Sequence, residues 1–414
     1  MSHYKAYSKY KDSGLDWIDE VPKDWDVKPI KIVASHNDDS LDEMEEANMP
    51  IRYVDISSVS HDEGISKAEE MLFGSAPSRA RRKAKAGDVI ISTVRTYLKA
   101  VAAVDDIHAD CVYSTGFVVL RARPNQVIPG FLKWLALNEF FIQSVESNSE
   151  GLSYPAINAP ALVSLKTTIP SLSEQAVIAP ILDSETARID AIIAKKTQFI
   201  ELLNEKILAM VTHSIEHKDT RIIRLQHVCD VISRPVSQQD GESYTRLGLY
   251  NCGRGAFKKT EADNEDMGDS DFFWVEENDL ILSGQFALEG AVAMATKEHA
   301  NCVVSHRFPV IQGRQGESLT EYLFALFMTH FGDFILSDCS RGSAGRNRPL
   351  NLNALLLWKI PVPSIEYQKK IALLIHLRES IRVKTQHSIN LLKERRSALI
   401  TAAVTGQIDL REST

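Results

Sequence analysis

The chain is written twice, and a repeat of this length fixes the architecture before any single element is assigned. The stretch GDVIIS from Gly87 matches NDLILS from Asn278, and AVAAV from Ala100 matches AVAMA from Ala291 at the same displacement. Without a gap, ADCVYSTGF from Ala109 then falls on ANCVVSHRF from Ala300, so that Cys111 lies over Cys302, Ser114 over Ser305 and Phe117 over Phe308. Farther on, NAPALVSLKTTIPS from Asn158 answers NLNALLLWKIPVPS from Asn351, and LLNEKILAMVT from Leu202 answers LLKERRSALIT from Leu391. Any one of these matches could be chance between two Val/Ile-rich strands. Several in the same order are a duplication, and its unit is a globular part followed by a helix.

The globular parts predict an α+β fold. Short β-branched runs (Val89 to Ser92, Phe117 to Arg121, Leu280 to Ser283) are punctuated by Gly, Asp and Asn, and amphipathic helices are expected near Pro129 to Phe141 and Leu319 to Phe331. After Pro170, Ser173 followed by Glu174 and Gln175 predicts an N-cap with an acidic first turn. A helix from Ser173 to Ile215 would be about 65 Å long at about 1.5 Å per residue, and would protrude or bridge. Its apolar stripe is Ile178, Leu182, Ile189, Ile192, Phe199, Leu203 and Met210; the second copy offers Ile371, Leu374, Ile381, Leu392 and Leu399 and stops at Gly406. Two long helices with such stripes are most cheaply hidden against each other as an antiparallel coiled coil with pseudo-two-fold symmetry, although each could pack on its own domain instead. Pro180 lies inside the first turns and leaves the start of the first helix open by several residues. The expected division is 1–25 N-terminal segment, 26–172 first domain, 173–217 central helix, 218–365 second domain, 366–407 C-terminal helix and 408–414 tail.

Composition narrows the function. With 44% hydrophobic and 25% charged residues the chain is globular, and its net charge of -8 with pI near 5.9 argues against a uniformly basic nucleic-acid coat. Five cysteines without a C-x-x-C pair suit a reducing cytoplasm, and neither a secretory core within Met1 to Trp25 nor a membrane-spanning run is present. There is no G-x-x-x-x-G-K-[ST] phosphate loop, no Asn/Asp-Pro-Pro-aromatic loop and no metal-ligand His/Cys spacing. GRG at Gly253 and GRQG at Gly313 read as turns, so no catalytic or metal residue is expected.

Local positive charge is present. Arg79, Arg81, Arg82, Lys83 and Lys85 follow Gly74 and Pro77 in a hinge, where they could be solvated surface or could neutralise phosphates. The next strand ends in Thr93, Arg95, Tyr97 and Lys99, types that contact phosphates and base edges, whereas the aligned stretch of copy two carries Gln285 and no base. Copy two has Arg341, Arg346 and Arg348 in CSRGSAGRNRP, where copy one reads SNSEGLSYP. Scaffold positions agree between the copies while these loops differ, as two readers of different sequences would.

The opening YKDSGLDWIDEVPKDWDVKPIK from Tyr10, STVRTYL from Ser92, IPSLSEQAVIAPILD from Ile169 and the closing LLKERRSALITAAVTGQIDL together resemble type I restriction-modification specificity subunits over nearly the whole chain. The resemblance implies two target recognition domains separated by two long helices, and a chain without catalysis of its own. Each domain would read one half of a bipartite site in double-stranded DNA. It also implies two modification subunits that methylate adenine with S-adenosylmethionine, and restriction subunits that use ATP and Mg. The competing readings are a self-contained DNA-modifying enzyme and a coiled-coil scaffold that binds no DNA.

Overall fold

The computed structural model describes residues 4–15, 17–42, 44–215, 219–237, 242–263, 270–340 and 348–413. Two compact units result: Met1–Ala194 with Ser388–Thr414, and Lys195–His387. The helices are α1 Pro129–Ala136, α2 Glu139–Ser147, α3 Ala159–Ser164 and α4 Leu172–Ile215, then in the second copy α5 Thr320–Phe327, α6 His330–Asp338, α7 Leu352–Leu357 and α8 Ile365–Val404, besides a single turn at Ile30–Val33. The division between units falls inside α4 and α8. Each half-helix packs on the globular part of its own unit: Ile178 and Leu182 share a core with Trp134, Leu399 and Val404, and Ile207 and Val211 share another with Tyr322, Ile371 and Ile375.

In the first unit, strand Val89–Ser92 lies between Val101–Ala103 and Phe117–Ala122, with Ala34–His36 at the far edge. Its period-2 alternation sends successive side chains to opposite faces. Val89, Ile91, Val118 and Leu120 join the helical core, while Ile90, Phe117 and Val119 face a second layer with Cys111 and Tyr113. That second layer is a five-stranded sheet in the order Asp39–Ser40, Ala80–Lys83, Val112–Ser114, Pro50–Val54, Glu69–Leu72. The second unit repeats the scheme: Leu280–Leu282 lies between Val292–Met294 and Val310–Gly313, Leu280 and Leu282 join the helical core, and Ile281 faces Cys302 and Val304 on the other side. The aligned cysteines are both buried core positions.

The single helices expected near Pro129 to Phe141 and Leu319 to Phe331 are each two. Asn138 caps α2 by accepting from Phe140 N at 3.0 Å, and Thr329 caps α6 by accepting from Gly332 N at 3.2 Å. Both cap residues are extended, which breaks the helix before them. The expected cap Ser173 is also displaced. Ser171 Oγ accepts from Glu174 N while Glu174 Oε2 accepts from Ser171 N, each at 3.3 Å, a reciprocal capping box that starts α4 at Leu172. Pro180 stays within α4 on an exposed face; its missing N–H removes one helical bond without ending the helix.

The pairing of α4 with α8 is antiparallel in both units. In the second, Asn204 Oδ1 accepts from Arg378 at 3.3 Å and Met210 O from Tyr367 OH at 3.1 Å, so partners descend α8 as α4 ascends. In the first, Asp190 meets Arg396 at 3.1 Å. Ile189 is buried, and Leu203, Met210, Leu374, Ile381 and Leu392 are half-buried. Ile192 and Phe199 depart from the expected seam, being 38% and 49% exposed. At about 100° per residue, Ile192 is turned roughly 60° from Ile189 and Phe199 roughly 80° from Ile207, which takes both off the covered face.

Buried glutamines, one per copy, fasten the start of each long helix to its domain. Gln175 Oε1 accepts from Ile128 N at 2.9 Å, and its Nε2 donates to Pro170 O at 2.9 Å and Gln126 O at 3.2 Å. Gln368 does the same with Leu319 N at 2.8 Å, Pro363 O at 2.9 Å and Glu317 O at 3.4 Å. Both are fully buried, so the bonds are made without competition from water.

Candidate nucleic-acid interface

The basic run after Pro77 is a sheet strand over most of its length, where a hinge was expected. Ala80–Lys83 pairs on one side with Val112–Ser114 and on the other with Asp39–Ser40, and strand alternation sorts its bases. Arg79 is exposed but held by the Tyr53 hydroxyl at 3.3 Å and by Asp55 at 3.2 Å, which keep its guanidinium more firmly protonated than usual. Arg81 lies 4.7 Å over the Phe73 ring. Arg82 is half-buried with its Nε unpartnered, and burial lowers its pKa. Lys85 sits 4.0 Å from Asp39. Lys83 is exposed and forms no ion pair among the described residues.

The loops that differ between the copies are gathered at one edge of each unit. In the first, Thr93 N and Thr93 Oγ1 both donate to Gly116 O at 2.8 Å, and Thr93 O accepts from Ile157 N at 2.9 Å. Thr115 N donates to Arg79 O at 2.7 Å. Four segments therefore meet: the end of the basic run's approach at Arg79, the loop after strand Val89–Ser92, the turn at Thr115–Gly116, and the loop 148–157 after α2. The second unit makes the same tethers with other residues. Gly284 N donates to Arg307 O at 2.7 Å, Gly284 O accepts from Leu350 N at 2.8 Å, and His306 N donates to Asp271 O at 2.9 Å. A Cβ on Gly284 would stand 2.3 Å from Arg307 O, so only glycine permits that approach.

Upon this shared frame the exposed side chains differ. The first unit presents Val94, Arg95, Tyr97, Leu98, Leu152 and Tyr154, all exposed. Lys99, expected to face outward, is tied to Glu139 by a short ion pair that raises its pKa, and it anchors the loop to α2. The second unit presents Phe286, His306, Arg307 and Arg348, with Gln285 half-buried. Arg341 and Arg346 lie outside the described residues. Residue-by-residue reading passed over Tyr154, Thr115, His306 and Arg307. A signal for the last two was present, since His306-Arg307 stands over Thr115-Gly116 inside an otherwise matched block.

The family profile described as type I restriction modification DNA specificity domain matches residues 22–202 and again 218–390. The chain belongs to that family. Specificity for DNA sequence is therefore its role, and the two matches fall one on each copy of the duplicated unit. Among solved structures, a chain described under complex assembly and conformational transition of the type I R-M system is 22% identical, with TM-score 0.62 over 94% of this chain and 99% of that one. That likeness shows a shared fold. An HsdS subunit from Thermoanaerobacter tengcongensis (22% identical, TM-score 0.45, 94% of this chain and 98% of that chain) and a type I S subunit from M. genitalium (14%, 0.48, 92% and 96%) are also similar. Among curated proteins no match is found. No described helix is long and apolar enough to cross a membrane.

Proposed function

We propose that each unit reads one half of a split DNA target through its four-segment edge, and that the chain lends this selectivity to partner subunits without catalysing a reaction itself. The observation that carries the proposal is the pair of matching backbone tethers, Thr93–Gly116 and Gly284–Arg307, that hold different side chains at corresponding edges. Main-chain and charged contacts to phosphates set register, and the divergent side chains discriminate bases. The long helices are the surfaces for two modification subunits, which supply S-adenosylmethionine-dependent adenine methylation; restriction subunits using ATP and Mg would complete the complex in the cytoplasm. Adenine methylation mapped in cells that express the modification partner with and without this chain tests the reading. A split motif that appears only with the chain is the expected result, and its absence when partner and chain are shown to be bound together defeats it.

In this reading Lys83, unlike Lys99, is free to meet a phosphate. Lys83→Ala is expected to weaken binding by the assembled complex equally on all sequences and to reduce the slope of log K against log salt by about 1, whereas Lys99→Ala leaves that slope unchanged. Titrations of DNA binding at several salt concentrations check this, and an unchanged slope for Lys83→Ala excludes the contact.

A further inference from the structure

Arg95 stands apart from the other bases of the first unit. It is exposed, its backbone is left-handed at φ 51°, and among the described residues no acidic group pairs with it. Its guanidinium instead lies 5.1 Å from the centroid of the Tyr154 ring. The two residues belong to different loops, and those loops are bound together around them: Thr96 Oγ1 donates to Ser149 Oγ at 2.9 Å, Val94 bridges Ala156, and Glu150 bridges Ala156 in turn. Gly151, at φ +109°, turns the second loop with its Cβ position 3.2 Å from Tyr154 O, a conformation that L side chains rarely adopt.

A guanidinium laid on an aromatic face keeps its planar fork of donors in one orientation while leaving the outer edge open. Such a fork matches the O6 and N7 acceptors of guanine in the major groove, and no other base offers that pair. We propose that Arg95 is the specificity-determining residue for a guanine in the half-site read by the first unit, and that Tyr154 is its positioning residue. The equivalent of Arg95 in the second unit is Phe286, also exposed, so the contact belongs to one half-site only. The assignment rests on the reading of the chain as a two-unit specificity subunit.

The test is methylation mapping with the full complex carrying Arg95→Lys, Tyr154→Ala or Tyr154→Phe. The wild-type motif should contain a guanine in one half whose replacement lowers methylation. Arg95→Lys, which keeps the charge and loses the fork, should reduce discrimination at that base pair roughly 5- to 150-fold and leave the other half-site as it was. Tyr154→Ala should relax the same base pair to a lesser degree, and Tyr154→Phe, which restores the ring, should recover the wild-type preference. Retention of the second half-site shows in each case that the complex is folded and assembled. An unchanged motif in Arg95→Lys, relaxation spread over both halves, or a wild-type motif without guanine overturns the assignment while the two-unit reading stands. A wild-type chain that adds no split motif defeats the two-unit reading instead.

Discussion

Exchanging residues 26–172 for the corresponding domain of another family member is expected to rewrite one half of the recognised sequence completely and to leave the other half untouched. The graft is feasible because part of the grip of the two long helices on the first domain is made on main-chain groups. Gln175 bonds the backbone of Ile128, Gln126 and Pro170, and Thr168 Oγ1 donates to Val404 O at 2.6 Å. A foreign domain with the same backbone meets the grip of Gln175, and keeps the bond to Val404 where it carries a hydroxyl at the place of Thr168, provided that apolar residues replace Trp134 and Leu135 against Ile178 and Leu182. The reading edge of the first unit (Arg79, Thr93 to Tyr97, Thr115, 148–157) lies wholly within the exchanged segment. Motif mapping of the hybrid decides the matter: if both half-sites change, the units are not independent readers.

Gln368→Ala is expected to cost about 3 kcal/mol in the second unit, because the truncation strands the half-buried Leu319 N–H and the buried Pro363 carbonyl, at roughly 1 to 3 kcal/mol for each unsatisfied group. Amide exchange is the suitable measurement, since a chain of two units need not unfold in one step. Protection of α5 and α8 within the second unit should fall about 100-fold, at about 1.4 kcal/mol per factor of ten. Protection of α1 in the first unit should hold. Gln175→Ala should do the reverse. A loss shared equally by both units would mean that the glutamines act on the whole chain, contrary to their local bonding.

The duplication was legible because the scaffold strands keep constant spacing between copies, and the unbroken apolar runs VII and LIL report burial on two faces directly. The glutamine clamps were not. A glutamine after a serine and an acidic residue looks like the polar first turn of a helix, and its value lies in backbone groups some 50 residues away in sequence, at Ile128 and Leu319. The seam was overread for a related reason. A stripe drawn by spacing alone admits Ile192 and Phe199, yet whether a stripe position is covered depends on the rotation of the partner helix. In the candidate site, Arg79 could be singled out by the density of bases around it, and Thr93, Arg95 and Tyr97 because copy two lacks them. Tyr154 could not, because its loop carries no basic residue and its meaning comes from lying beneath Arg95. The basic run read as a hinge because Gly74 and Pro77 precede it; its strand character comes from two partners distant in sequence, Asp39–Ser40 and Val112–Ser114.

The tethers that gather the reading loops are drawn mainly between main-chain atoms: Thr93 N to Gly116 O, Ile157 N to Thr93 O, Gly284 N to Arg307 O, Leu350 N to Gly284 O. The exposed side chains that these tethers hold up, among them Arg95, Tyr97 and Phe286, can therefore be replaced with little change to the bonds that shape the edge. Mutation can alter what such an edge recognises while the fold's stability stays nearly constant, so new preferences are reachable by single substitutions without passing through unfolded intermediates in sequence space. A chain built this way places its most replaceable residues at the edge that decides recognition, and shelters its least replaceable ones in the clamps and cores behind.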